Sequence, residues 1–565
     1  MDDNGVLRVA MMPWLAFGHI GPFLELSKAL AQRGHHISFI CTQRNIQRFP
    51  KIPPHLSPHI DLVGLPLPHA DGLPDGAEST MDISPDQMHC LKNAFDGLEG
   101  PAAAFLESAA VDWIIYDVIN HWVPRIASKL KLPCAHFSIV PSPVYGFLGP
   151  VSELIKGRRF MDIESLTNVP PWVQFPTTVS FRSHEAIPIL KLVQSVSSGV
   201  TDFLRYGTAI GECHIIAIRD CMEFSSDWLH LLEDLQQKPV FPIGLLPPPI
   251  QEADGGDEAW PDREWLDKQA RGSTVYIAFG SEVRPSKEQV HQLALGLEQS
   301  QLPFIWALRS GAHDPEILPL GFEDRINGRG IVRKGWVPQL KILAHPSIGG
   351  FLTHSGWSSI IEALGLGRPL VIFPLMYDQG LNARWISEKR LGLEVPRDEM
   401  DGSFTAADVA KTLRTVIVEA DGDIYRANAM KMKEVFANKK LSDQCIDSFA
   451  SYLKDNRGHN RSPVISASSH PSSISPSTLH HPSSQRNTSQ AEIQPSISHC
   501  KLSSPTSIPA QEAHHLAIAT IVSVHTQQVH LIPLVSGAYS TLRQHSFATI
   551  LSPSRGRTAP KLEKL

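Results

Sequence analysis

Residues 336–379 read WVPQLKILAHPSIGGFLTHSGWSSIIEALGLGRPLVIFPLMYDQ. Ile348 to Thr353 is a short apolar run of the kind that forms a buried strand, and His354-Ser355-Gly356-Trp357 is a turn leading into a helical stretch from Ser358 to Leu364. A helix N-terminus offers unpaired N–H groups and the positive end of a dipole, so Gly356, Trp357, Ser358 and Ser359, with His354 before them, suit a diphosphate. Glu362, one turn on, suits ribose hydroxyls. A second strand, Pro369 to Phe373, leads to Asp378-Gln379, a carboxylate and an amide suited to hexose hydroxyls. Upstream, Trp336 offers a flat face for a uracil, with Val337 and Gln339 beside it. Each residue alone has a plain structural role: a core Trp, a capping Ser pair, a Glu serving the helix dipole. Their order and spacing together imply a nucleotide-sugar ligand.

Outward from this stretch, the chain alternates strands and helices. Leu7 to Met12 reads as a strand, Ile20 to Arg33 as a helix, His36 to Cys41 as a strand, Asp112 to Tyr116 as a strand, Trp122 to Leu130 as a helix and Cys134 to Ile139 as a strand. The pattern resumes with strand Val275 to Phe279 ending at Gly280-Ser281, helix Lys287 to Gln299 and strand Phe304 to Leu308. Such alternation predicts α/β architecture in two doubly wound, Rossmann-like domains facing across a cleft. The expected organisation is a first domain over 1–245, a Pro-, Gly- and acid-rich linker over 246–262, a second domain over 263–441, a terminal helix over 442–457 and a low-complexity tail over 458–565.

Composition limits the function classes. The chain has 565 residues, 42% apolar and 19% charged, with a formal net charge of −6, which gives no electrostatic case for nucleic acid or an acidic membrane surface. Seven scattered cysteines without a C-x-x-C pair favour reduced thiols and a cytoplasmic setting. The N-terminus opens on Asp2-Asp3 and lacks a secretory pattern, and no run reaches the length of a membrane span, so stable membrane insertion is not expected. The tail is dominated by Ser, Pro, His, Thr and Gln, which predicts disorder. It reads as translated non-coding sequence or a gene-model error rather than a regulatory extension. Its histidines, such as His480-His481 and His514-His515, have no metal-site spacing, and the sequons at Asn460 and Asn487 carry no weight in a cytoplasmic protein.

The chemistry is read from residues that follow strands. His19 follows the first strand and opens a helix at the mouth of the cleft, where it suits a general base or, equally, a cap. Asp117 ends the strand Asp112 to Tyr116 at the same sheet edge; it suits a carboxylate that orients an imidazole, or a cap for the next segment. Ser281, His354, Ser358 and Ser359 supply neutral donors around a diphosphate, so no metal is expected. The D-x-D-like Asp421-Gly422-Asp423 lies in a polar turn and reads as surface. If a hydroxyl activated at His19 displaces the diphosphate of a bound nucleotide sugar directly, inversion at the anomeric carbon is expected. Trp14, Phe17, His121 and Tyr145, with Trp122 and Phe137, fall on loops following first-domain strands, where an acceptor pocket forms, or else belong to the core, and the loop Asp71 to Pro74 is a further candidate. A nicotinamide-dependent enzyme would need a G-x-G-x-x-G after the first strand, where Gly18-His19-Ile20-Gly21-Pro22 stands instead.

The stretch from Trp336 to Gln379 resembles, without a gap, the C-terminal signature box of the plant family-1 UDP-glycosyltransferases, and the likeness extends over roughly residues 5 to 457. That resemblance implies the GT-B fold, a terminal helix around Ser442 to Lys454 crossing back onto the first domain, and a catalytic pair formed by His19 and Asp117. The region around Pro13 to Leu26, with Gly72-Leu73-Pro74 and Gly380 to Arg384, looks most like the sub-group that adds a sugar to a sugar already attached to a flavonoid or terpenoid, the soyasaponin rhamnosyltransferase-like and flavonoid-glycoside enzymes. Most of the wider family has Asn where this chain has Ser358, and that sub-group often has Ser too. The implied partners are UDP-glucose or UDP-rhamnose, with the donor left open by Gln379, and a small-molecule glycoside; the chain is expected to be a monomer. Direct transfer to an aglycone, and an inactive sugar-nucleotide binding protein, are the alternatives.

Overall fold

The computed structural model describes residues 5–157, 160, 162–249, 260, 262–309 and 317–458. The expected tail, with its paired histidines, sequons and Cys500, lies outside the described residues apart from Gly458; so do Asp2-Asp3 and most of the expected linker.

Long apolar runs with both faces covered favour parallel strands, and such runs build two sheets. The first uses β1 (Arg8–Met12), β2 (His36–Thr42), β3 (Ile60–Leu65), β4 (Trp113–Tyr116) and β5 (Cys134–Ser138). After a short antiparallel hairpin, β6 (Val196–Ser197) and β7 (Val200–Thr201), it adds β8 (Ile215–Ile218) and β9 (Val240–Pro242). Its order is β3-β2-β1-β4-β5-β8-β9, parallel throughout. The second sheet uses β10 (Thr274–Ala278), β11 (Phe304–Leu308), β12 (Gly330–Lys334), β13 (Ile348–Thr353), β14 (Leu370–Ile372) and β15 (Gly392–Glu394). Its order is β12-β11-β10-β13-β14-β15, again parallel. Every residue of β4, β8 and β10 is buried, as a strand covered by helices on both sides requires. This is the GT-B arrangement of two doubly wound sheets.

Topology locates the site. Strand order reverses between β1 and β4 in the first sheet and between β10 and β13 in the second, and ligands of open parallel sheets bind beyond the carboxyl ends of strands at such reversals. His19 follows β1, Asp117 follows β4, Ser281 follows β10 and His354 follows β13.

One helix differs from expectation at its start: it spans Phe17–Ala31 rather than beginning at Ile20. Gly18, Gly21 and Pro22 are poor helix formers, but the Ala16 carbonyl accepts N–H bonds from His19 and Ile20 at 2.9 and 2.8 Å and closes the first turn early. The last described helix, Lys439–Asp455, packs on the first sheet: Trp113 Nε1 donates to the Leu453 carbonyl at 2.9 Å, and Phe449 and Tyr452 lie against Phe241.

Candidate active site

His19 sits in the first turn of helix Phe17–Ala31, a quarter exposed (25%), with Nδ1 2.8 Å from Oδ2 of Asp117, which is 1% exposed. Asp117 also accepts from the Trp14 N–H at 3.0 Å and from its neighbour Val118 at 2.7 Å. Burial pushes the Asp117 carboxyl up, but the charge and hydrogen bond of His19, with the two backbone donors, outweigh it and hold the group below the ordinary carboxylate range. Burial would likewise lower the His19 imidazole; Asp117, with smaller help from Glu282 and Asp378, holds it above the ordinary histidine range. An ionised Asp117 accepts from Nδ1–H, which fixes the tautomer and leaves the lone pair on Nε2.

Opposite stands helix Trp357–Gly365, whose N-cap is Gly356 and whose first turn has no side-chain cap. Ser355, just before it, holds a left-handed φ of 68°, and Asn382 steadies that turn by donating to the Ser355 carbonyl at 3.0 Å. The His354 ring is wedged between two glycines: a Cβ on Gly280 would lie 2.9 Å from the ring and one on Gly356 2.5 Å from Nε2, so neither position admits a side chain without displacing the imidazole. Burial drops the His354 pKa to about 4, so at neutral pH it offers an uncharged N–H rather than a cation. Glu362 accepts from Gln339 Nε2 at 2.6 Å, Gln339 in turn accepts from the Tyr276 hydroxyl at 3.2 Å, and burial lifts the Glu362 carboxyl above its usual range. Gln379 Oε1 is taken by the N–H groups of Leu375 and Met376, both at 3.0 Å, which leaves its NH₂ as the free end. Asp378 accepts from Asn382 Nδ2 at 2.6 Å, and burial raises its carboxyl.

Two cavities meet at His19. The first, about 470 Å³, is walled by His19, Ser281, Gln339, His354, Gly356, Trp357, Ser358, Ser359, Glu362, Asp378 and Gln379. The second, about 210 Å³, is walled by His19, Asp117, Trp14 and Tyr145 together with Phe160, Phe181 and Phe203. His19, Glu282, Tyr377 and Asp378 belong to both.

Several residues fall elsewhere than expected. Phe17 walls the first cavity rather than the second. His121 walls neither: Arg205, bound to Asp96, lies 3.1 Å from its Nδ1 and holds the ring in an ionic cluster. Trp122 and Phe137 are core, packed on Phe95 and Phe23 respectively. Trp336 is 79% exposed and does not wall the first cavity, while Val337 packs against the core. The loop Asp71 to Pro74 walls neither cavity. Asp421 and Asp423, by contrast, are exposed as expected, and Asp423 pairs with Arg426. Sequence reasoning also missed Arg219 in the first cavity and Thr80, Lys92, Asp202 and Glu282 in the second. Lys92 and Asp202 form a buried pair at 2.6 Å, and Thr80 donates to Glu282 at 2.8 Å.

Comparison with known proteins follows the same lines. The family model for UDP-glucoronosyl and UDP-glucosyl transferases matches residues 257–444. UDP-glycosyltransferase 91C1 of Arabidopsis thaliana is 46% identical over 450 residues, covering 80% of this chain and 97% of that protein. The soyasaponin III rhamnosyltransferase of Glycine max is 43% identical over 462 residues, 81% of this chain and 97% of its own. In structure, UGT73P12 of Glycyrrhiza uralensis, solved with glycyrrhetinic acid 3-O-monoglucuronide, matches with a TM-score of 0.67 at 19% identity, over 80% of this chain and 96% of that chain.

Proposed function

The chain belongs to the UDP-glycosyltransferase family, and on that premise we propose that this enzyme moves a hexosyl or rhamnosyl group from a UDP-sugar, with inversion and without a metal, onto a sugar hydroxyl of a flavonoid or terpenoid glycoside. The observation that carries the proposal is the meeting of two cavities at His19, whose Nδ1 lies 2.8 Å from Asp117.

In the proposed reaction the UDP-sugar occupies the first cavity. Within it Glu362 takes the ribose, and Ser281, His354, Ser359 and the first-turn N–H groups the diphosphate, while the uracil extends past the cavity wall to the exposed indole of Trp336. Asp378 accepts from the donor sugar and the free NH₂ of Gln379 donates to it. The acceptor occupies the second cavity. Its hydroxyl gives a proton to His19 Nε2 as its oxygen attacks the anomeric carbon; the bond from that carbon to the diphosphate oxygen breaks on the opposite face, and UDP leaves with the electron pair. Asp117 stabilises the imidazolium that forms.

Two things support a glycoside acceptor. One relative is named for rhamnosyl transfer to a saponin. In addition, the second cavity combines an aromatic wall of Phe160, Phe181 and Phe203, suited to an aglycone, with Thr80, Lys92, Asp202, Glu282 and Asp378, whose remaining lone pairs and N–H groups suit a sugar's hydroxyls. Buried unpaired thiols at Cys41, Cys90, Cys134, Cys213 and Cys221 fit a reducing, cytoplasmic setting. The test is a donor-by-acceptor screen with mass detection, pairing UDP-glucose and UDP-rhamnose with monoglucosides and their aglycones. Higher kcat/KM on the aglycones refutes the sugar-on-sugar assignment, and no transfer with any pair refutes the whole.

A further inference from the structure

Arg219 immediately follows β8 in the first sheet, yet its side chain ends in the second half of the site. It is 2% exposed and walls the first cavity. Nε donates to the Leu245 carbonyl at 2.7 Å, Nη2 to the Leu246 carbonyl at 3.0 Å and Nη1 to the Ser358 hydroxyl at 2.6 Å. Its own carbonyl accepts from Trp357 Nε1 at 2.7 Å. Side chain and backbone thus grip the first turn of helix Trp357–Gly365 from across the cleft.

The charge balance of this grip is unusual. Every hydrogen-bond partner of the guanidinium is neutral, and among the described residues no carboxylate lies at ion-pair distance; Glu362 and Glu25 act on it only from further away. Burial lowers its pKa only to about 10, so it stays cationic at neutral pH. A buried cation without an anion is costly to keep unless an anion arrives. Three of its five N–H donors are used by the contacts above, and guanidinium geometry suits two phosphate oxygens at once. Ser358, by accepting from Nη1, keeps its own O–H to donate into the cavity. Its short side chain leaves the space that the guanidinium enters.

We infer that Arg219 is a diphosphate-binding residue, supplying from the first sheet the positive charge that meets the departing nucleoside diphosphate, both directly and through Ser358. The inference rests on the proposed function and deepens it: the donors for the leaving group then come from both sheets, joined by the hydrogen bond from Arg219 to Ser358.

Calorimetric titration of the full chain with UDP and with uridine tests it. In Arg219→Gln, UDP affinity is expected to fall by about tenfold to a hundredfold, the effect of losing a charge-assisted bond, while uridine affinity stays within about threefold. Arg219→Lys, which keeps the charge, recovers part of the loss. Equal loss for both ligands marks a purely structural clasp and overturns the inference, as does unchanged UDP binding in Arg219→Gln. Should the glutamine variant not melt cooperatively, the arginine side-chain nitrogen resonances of the unmodified protein give the answer: a protected guanidinium signal, absent from the spectrum of folded Arg219→Lys, shifts with UDP and stays in place with uridine. A signal indifferent to UDP overturns the inference. If the unmodified protein binds neither ligand, the proposed function fails first.

Discussion

Asp117→Asn removes one charge at the centre of the site while changing little in size. Asp117 Oδ2 receives both His19 Nδ1, at 2.8 Å, and the Trp14 N–H, at 3.0 Å; Oδ1 receives the Val118 N–H at 2.7 Å. An amide has only one acceptor oxygen. If that oxygen replaces Oδ2, the NH₂ confronts the Val118 N–H; if it replaces Oδ1, the NH₂ faces His19 and makes Nδ1 the acceptor, which moves the imidazole proton to Nε2 and removes the base. In either orientation the imidazolium formed during transfer loses its counter-charge. Unit charges at 2.8 Å are worth about 6 kcal/mol at an effective dielectric of about 20, which is a ceiling of roughly four decades in rate. The expected loss in kcat is therefore about 10²–10⁴-fold, with UDP affinity unchanged because Asp117 does not wall the first cavity. The pH profile supplies the second reading. Transfer needs neutral His19, and Asp117 holds its pKa above the ordinary value; activity of the unmodified enzyme is full above that raised pKa and declines as pH falls through it. Without the carboxylate, burial dominates, and the acid limb of the residual activity moves to lower pH. Initial rates of disaccharide formation across that range, with calorimetry for UDP, measure both. A near-normal kcat, or an acid limb that does not move, refutes His19 as an Asp117-oriented base.

Trp336→Ala is expected to weaken UDP binding by about 1–3 kcal/mol if the exposed indole carries a stacked uracil, and calorimetry showing no change would remove it from the site. Glu362→Ala should weaken UDP more than 2′,3′-dideoxy-UDP, since its carboxylate is assigned to the ribose hydroxyls; equal weakening would argue for a packing effect. Activity should survive excess EDTA, and loss restored by added magnesium would contradict charge neutralisation by N–H, O–H and guanidinium donors. Lys92→Met strands the Asp202 carboxylate in a buried wall, at a cost of about 3–5 kcal/mol, with Arg205 4.0 Å away favouring the lower end. Denaturant midpoints compared at constant m would show a negligible change if the pair were solvated instead.

What the sequence revealed depended on how locally each feature is encoded. β11 and β13 coincide with Phe304–Leu308 and Ile348–Thr353 because uninterrupted apolar runs admit one register. β3 escaped notice because Asp61 and the exposed Leu62 interrupt its pattern, as a strand at the sheet edge allows. The groups around the first cavity were legible for the same reason: Ser281 directly follows a strand turn, and His354 to Glu362 form one turn and helix. The second cavity is different. Thr80, Lys92, Asp202 and Glu282 come from segments far apart, and no local spacing brings them together. His121 shows the converse, since its position after β4 suggested the acceptor, but Arg205, 84 residues on, takes its ring instead. Arg219 is the extreme case: nothing in Ile218-Arg219-Asp220 announces that its guanidinium meets Ser358, 139 residues later. A donor pocket built largely from one continuous segment, with Ser281 and Arg219 added from outside it, and an acceptor pocket built from scattered segments also differ in how they can change. A change in the Trp336–Gln379 stretch alters several donor contacts together, whereas the acceptor wall can change piecemeal at Phe160, Phe181 or Phe203, with Lys92 and Asp202 bound to change as a pair.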